Sequence, residues 1–362
     1  MRARGGGRPV LVTGGAGFIG TNLAERLLSA GERVRILDDL SRPGVEENLR
    51  WLSRRHPDRL EVEVADVRSR RAVARAVRGA GSVFHFAAQV AVTTSLTAPL
   101  HDFAVNARGT LNVLEAIRAE PDPPAMIFTS TNKVYGALED LAVRARASRY
   151  EPARPDLYGQ GVGEGRPLAF HSPYGCSKGA ADQYVLDWAR TFRLPLAVFR
   201  MSCIYGPHQH GNEDQGWVAH MLRAALRGEP ITIYGDGKQV RDVLFVEDLV
   251  EAFLATRARI GALAGRAFNV GGGPANTVSL LELMELIARL EGERPALRFD
   301  AWRAADQRWY VSDTSRLSAA TGWRPRVGVA EGVARLHGWL TASGRAAARA
   351  PAAGLEGLGA RV

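Results

Sequence analysis

Along the first 130 residues, short runs of β-branched and aliphatic side chains alternate with longer stretches whose apolar positions recur every three or four residues. The short runs PVLVTG (9 to 14), RVRILD (33 to 38), RLEVEVA (59 to 65), SVFHFA (82 to 87) and AMIFTS (125 to 130) predict strands. The periodic stretches at 18 to 30, 69 to 79 and 101 to 119 predict helices. Strands spaced by helices of that length imply βαβ units and hence a parallel, doubly wound α/β sheet. A helix over about 172 to 193 leads into LPLAVFR (194 to 200), the expected sixth strand. After residue 200 the rhythm changes, and ITIYG, QVRDVLFV and AFNVGG mix with helical patterns near 215 to 228, 246 to 258, 278 to 291 and 327 to 340. The pattern therefore predicts a main domain over 8 to 200 and a smaller α/β lobe built mainly from 201 to 341. Two segments fall outside it. Residues 142 to 171 form a polar, Gly/Pro-rich insertion, and long loops in compact domains are usually functional or disordered. Residues 342 to 362 are of low complexity and expected to be disordered.

Composition changes this picture mostly by exclusion. With 362 residues, 46% of them hydrophobic, the chain can bury a full core, and no apolar run approaches the ~20 residues of a membrane span. The start, MRARGGGRPVLVTGG, lacks the apolar stretch of a secretory leader. Two cysteines, Cys176 and Cys203, cannot build a disulfide framework; they read as small buried residues of a cytoplasmic protein. A net charge of +9 raises the question of nucleic acid, but the arginines are interspersed with acids and no zinc, helix-turn-helix or stacking-aromatic pattern accompanies them. Neither a nucleic-acid nor a membrane partner is expected, and no metal site. One bias points inward: of 47 basic residues only Lys133, Lys178 and Lys238 are lysine.

TGGAGFIG (13 to 20) lies where the first strand hands over to a helix. Gly14, Gly17 and Gly20 fit the spacing that lets backbone approach a pyrophosphate, whose charge then meets free N–H groups at a helix N-terminus. Asp38, at the end of the second strand, is placed to accept hydrogen bonds from ribose hydroxyls and to repel a 2′-phosphate, which favours NAD over NADP; Arg42 nearby softens that preference. Asp66 ends the third strand, as a partner for adenine or as a turn cap. Ala87 and Ala88 leave room at the end of the fourth strand, and Asn106 is a poor helix former unless its amide has a partner.

In HSPYGCSKGAADQY (171 to 184), Tyr174 and Lys178 stand one helical turn apart on one face. A tyrosine is no base at its ordinary pKa of ~10, but a nearby ammonium and a positive nicotinamide ring favour the phenolate. Thr131, ending the fifth strand in TSTNKVYG (129 to 136), offers a hydroxyl to the same substrate oxygen.

Glycine turn, threonine and Tyr-x-x-x-Lys together resemble the extended short-chain dehydrogenase/reductase superfamily, in its nucleotide-sugar epimerase and dehydratase branch. The resemblance spans about residues 8 to 341 and implies a Rossmann sheet with a C-terminal substrate lobe. The runs LDDLSRPG, ENLRWL, STNKVYG, FHSPYGCSKGAADQY, DQGW, GKQVRDVL and DQR look most like those of epimerases that invert C2 of a CDP-linked sugar. On that likeness Thr131, Tyr174 and Lys178 are the catalytic set. The glycine turn with Phe18 and Ile19, then Asp38, Asp39, Asp66, Val67, Ala87, Ala88, Gln89, Asn106 and Thr129, together with Tyr174 and Lys178, fall at NAD positions. Asn132, Ser202, Gln215, Trp217, Tyr234, Arg241 and Arg303 fall at substrate positions, with Arg241 and Arg303 as clamps on the diphosphate. The implied reaction oxidises C2, turns the flat keto sugar over and returns the hydride to the other face. Asn132 and Lys133 stand where similar dehydratases carry an Asp-Glu pair, which disfavours loss of water. The loop LYGQGVGEGRPLAFHSPYG departs from the C2 pattern, so inversion at C4 or another carbon of a UDP-, GDP- or dTDP-sugar is the alternative, and an NAD-holding sensor the remote one. A homo-oligomer, dimer or tetramer, is expected through the helices at 101 to 119 and 172 to 193.

Overall fold

A computed structural model of the chain describes residues 7 to 303 and 306 to 349. Seven parallel strands form the main sheet: β1 (Val10–Thr13), β2 (Val34–Asp38), β3 (Leu60–Val64), β4 (Ser82–His85), β5 (Ala125–Thr131), β6 (Leu196–Met201) and β7 (Arg266–Val270), in the order β7-β6-β5-β4-β1-β2-β3. The order reverses between β4 and β1, and in such sheets ligands bind beyond the strand C-termini at that switch. β1 and β4 are buried along their whole length because helices cover both faces. Leu23, Leu27, Phe84 and Phe253 pack one face; Val73, Val113, Ile117 and Val185 pack the other.

The span 201 to 341 is shared between two bodies of structure. It supplies β7 and the helix Val246–Arg257, which pack with the main sheet. The rest makes a small mixed sheet, in which Val240–Phe245 pairs with Cys203–Tyr205, Thr277–Ser279 and Trp309–Tyr310, beside a parallel pair Ile231–Tyr234 and Leu297–Asp300. A core of its own, including Leu222, Ile233, Phe245 and Leu283, sits beneath.

The helix expected at 101 to 119 is present, running without a break from Pro99–Phe103 through a π turn Ala104–Arg108 into Gly109–Arg118, with Asn106 buried in the π turn. Three other expectations are corrected. The insertion 142 to 171 is ordered: Val143–Ala145 pairs with Tyr150–Pro152, a helix follows at Pro155–Gln160, and the Glu164 carboxylate accepts from the Asn269 backbone at 2.7 Å. Its few apolar residues, among them Val143, Leu157 and Val162, pack on Trp309 and Tyr310, contacts too distant in sequence to show as periodicity. Cys176 is exposed and Cys203 only half-buried, because Cys176 lies between the inward-facing Tyr174 and Ser177 on its helix. At the C-terminus the helix Val329–Arg349 extends into the span expected to be disordered, and 350 to 362 lie outside the described residues. No described helix is long and apolar enough to cross a membrane.

Candidate active site

One cavity of about 770 Å³ lies across the switch point and continues between the main sheet and the small lobe. Every site residue named from the sequence lines it, with the single exception of Asn106.

At one end the glycine turn is built for close approach. Gly14 has φ +68°, and a Cβ there would meet the Ala87 backbone at 2.7 Å; one on Gly20 would meet the Gly14 carbonyl at 2.3 Å. The helix Phe18–Ser29 begins at Gly17 with no side-chain cap, so its first N–H groups face the cavity unblocked. A dinucleotide phosphate fits that cradle. Asp38 accepts from Ala16 N at 3.0 Å and Leu40 N at 2.9 Å, which ties one carboxylate oxygen to the glycine turn and the other to the segment after its own strand. Burial raises its pKa, those bonds opposing. Arg42 lines the cavity close enough to interact with Asp38. Asp66 caps the following turn, accepting from Arg68 N at 2.7 Å, and also lines the cavity.

Asn106 stands one layer behind. It is 1% exposed, and its amide bonds the Gln89 backbone in both directions at 3.0 Å, and also Asp102 and Ser177 at 3.1 Å. It ties the Gln89 loop to the Tyr174 helix, the partner its helical setting demanded. Across the cavity, Asn48 of the helix Val45–Arg55 donates to the carbonyls of Ala16 (3.1 Å) and His208 (3.2 Å), joining the glycine turn to the small lobe.

The centre holds Thr131, Tyr174 and Lys178, all buried. The Thr131 hydroxyl donates to the Asn132 amide oxygen at 3.3 Å and accepts from Lys133 N at 3.2 Å. Lys178 donates to the Thr129 carbonyl at 2.6 Å and lies 4.2 Å from the centre of the Phe128 ring. The proximity of lysine predicts a lowered tyrosine pKa; burial is stronger. It pushes Tyr174 up to about 12, with Thr131 opposing, and Lys178 down to about 7, with Asp182 and Asp102 opposing. In the protein alone Tyr174 is held as the neutral phenol, and Lys178 divides between its charged and neutral forms near neutral pH.

Beyond the centre, charged side chains come in compensated sets. Arg241 donates to Asp306 at 2.6 Å and to the Val240 carbonyl at 2.7 Å. Arg303 lies 3.9 Å above the Tyr234 ring, 3.3 Å from Asp214, and donates to the Glu213 carbonyl. Tyr234 itself donates to Glu213 at 2.7 Å. Ser202 donates to the Asp242 carbonyl at 2.9 Å, and Asn132 to Gln307 at 3.4 Å. Sequence reasoning passed over Asp306, Glu213 and Gln239 on the cavity wall; the quoted run DQR, which begins at Asp306, was the available signal.

The same arrangement of chain recurs in known proteins. Residues 10 to 271 match the NAD dependent epimerase/dehydratase family. The chain belongs to that family. Its cofactor is NAD. It is 42% identical to CDP-paratose 2-epimerase of Salmonella typhi, covering 92% of this chain and 99% of that one. It is 35% identical to UDP-glucose 4-epimerase of Mycolicibacterium smegmatis, covering 90% and 96%. Among solved structures, the NAD complex of Thermus thermophilus UDP-glucose 4-epimerase superposes with a TM-score of 0.75 at 31% identity, covering 92% and 99%. The expected α/β fold with a parallel Rossmann sheet is thereby confirmed.

Proposed function

We propose that this NAD-dependent nucleotide-sugar epimerase inverts C2 of a CDP-linked sugar, CDP-paratose being the leading candidate. The observation that carries the reading is the grouping of Thr131, Tyr174 and Lys178 beside Asn132 and Lys133, with no carboxylate at the two positions where similar dehydratases expel water. The 42% identity to CDP-paratose 2-epimerase supports the choice of carbon and nucleotide.

Bound NAD would supply a reversible hydride acceptor for the sugar carbon. The remaining work falls to side chains. Thr131 holds the reacting oxygen, and Tyr174 removes its proton as the carbonyl forms, then returns it after the sugar has turned. Because burial holds Tyr174 in its phenol form, proton removal depends on added positive charge, from Lys178 and from the nicotinamide ring. The glycine turn, Asp38 and Lys178 hold the cofactor. Arg241 and Arg303 take the diphosphate, and Tyr234, Gln215 and Trp217 face the base. A second reading, inversion at C4 of a UDP-sugar, is favoured by the 35% identity to a UDP-glucose 4-epimerase, since one catalytic set serves whichever hydroxyl reaches Tyr174.

A cytoplasmic homodimer completes the proposal. Leu100, Phe103 and Tyr184 are exposed on the helices expected to pair, and sedimentation of the purified protein tests it. Incubation with CDP-, UDP-, GDP- and dTDP-sugars in deuterated water tests the chemistry. Internal return predicts an inverted C2 without solvent deuterium; deuterium at that carbon, or turnover only at C4, would sink the leading reading.

A further inference from the structure

We propose that Lys133 and Asp306 form a charge-balancing pair for Arg241, setting the net charge that the cavity presents to a diphosphate. The inference rests on the nucleotide-sugar reading above and assigns a role to a lysine that the catalytic set leaves unused.

The three side chains converge on one atom. Asp306 Oδ1 accepts from Arg241 Nη2 at 2.6 Å, and Lys133 Nζ lies 3.8 Å from the same oxygen. All three line the cavity. Lys133 arrives from the turn that follows Thr131, Arg241 from the small mixed sheet, and Asp306 from the segment whose Gln307 docks on Asn132 and donates to the Gly136 carbonyl at 2.6 Å. Three segments far apart in sequence thus meet at a charge cluster beside the reaction centre.

Its electrostatic meaning follows from the neighbours. At this end of the cavity Arg303 is offset by Asp214, and Glu213 adds a further carboxylate. Asp306 cancels Arg241. Lys133 is therefore the cation that brings this wall from net negative to neutral, and the Lys133–Asp306–Arg241 trio alone to one positive charge. A diphosphate entering a low-dielectric cleft is sensitive to a change of that size. The ammonium is itself marginal there: burial holds Lys133 below the usual lysine value, and Asp306 opposes that shift. Removing Lys133 would leave Arg241 neutralised by Asp306, with no net positive charge at the pair.

The test is calorimetric titration of the full-length holoenzyme with CDP, and with cytidine as a probe that carries the base and no phosphate. Lys133→Met is expected to weaken CDP binding about tenfold. Lys133→Arg, which keeps the charge, and the double variant Lys133→Met/Asp306→Asn, which removes both charges, are each expected to stay within about threefold of the parent. Cytidine binding should be the same in all four proteins, which a merely structural defect would not allow. Unchanged CDP affinity in Lys133→Met, equal losses for CDP and cytidine, or a double variant no better than the single one would overturn the inference. A parent protein that binds UDP in place of CDP overturns only the cytidine assignment, and the same comparison with UDP and uridine then decides the pair. A parent that binds neither these nor GDP and dTDP overturns the nucleotide-sugar reading and this inference together.

Discussion

The reaction centre and the nucleotide end of the cavity handle charge in opposite ways. At the centre, Tyr174 and Lys178 are buried without a directly bonded counter-ion, and burial drives both toward neutrality. At the other end Arg241, Arg303 and Lys133 each have a carboxylate within 4 Å. The difference separates two tasks. A group that moves a proton must be able to change protonation state: burial brings the two forms of Lys178 close in energy near neutral pH, whereas it holds Tyr174 as the phenol, which then gives up its proton only when positive charge is added. A group that holds an anion must stay charged, and a carboxylate partner maintains that charge until the anion arrives.

The comparison can be broken at several points. Tyr174→Phe removes the proton acceptor and should lower kcat by about a thousandfold while leaving nucleotide binding intact, as single-turnover kinetics and calorimetry would show. Next comes Lys178. Its unfolded form keeps a proton up to 10.5, its folded form only up to about 7, so between those values the unfolded chain binds more protons and stability rises with pH. Lys178→Met should flatten the rise in Tm from pH 7 to 10, which corresponds to a few kcal/mol as an order of magnitude. A variant with an unchanged slope would show that burial does not govern this site. Arg241→Gln should raise KM about tenfold with a smaller effect on kcat, since it acts on binding in ground and transition states alike. The smallest effect is expected for Arg303→Gln, about threefold in KM, because its pair is more exposed and better screened.

What could be read in advance was local. The strands, the glycine turn and the Tyr174–Lys178 spacing are set by neighbours a few residues away, and the structure places them where periodicity and motif spacing predict. Asn106 shows the limit: its sequence position marked it as needing a partner, but only the fold reveals that the partners are Gln89, Asp102 and Ser177. The ordered insertion, the meeting of Lys133 with Asp306, and the dominance of burial over lysine at Tyr174 all depend on which segments lie against each other. No window of the sequence contains both halves of those contacts. STNKVYG and DQR were visible only as two separate runs, and the fold shows that they touch.

The scarcity of lysine has a practical consequence. An amine-directed reagent meets three lysine side chains in the whole protein: Lys133 and Lys178 line the cavity, and Lys238 sits in a turn outside it. Mass spectrometry of the labelled chain would therefore follow occupancy of the cavity at Lys133 and Lys178, with Lys238 as an internal standard for reagent dose. The sparseness turns a side chain with no assigned step in the reaction into a direct chemical readout of what fills the site.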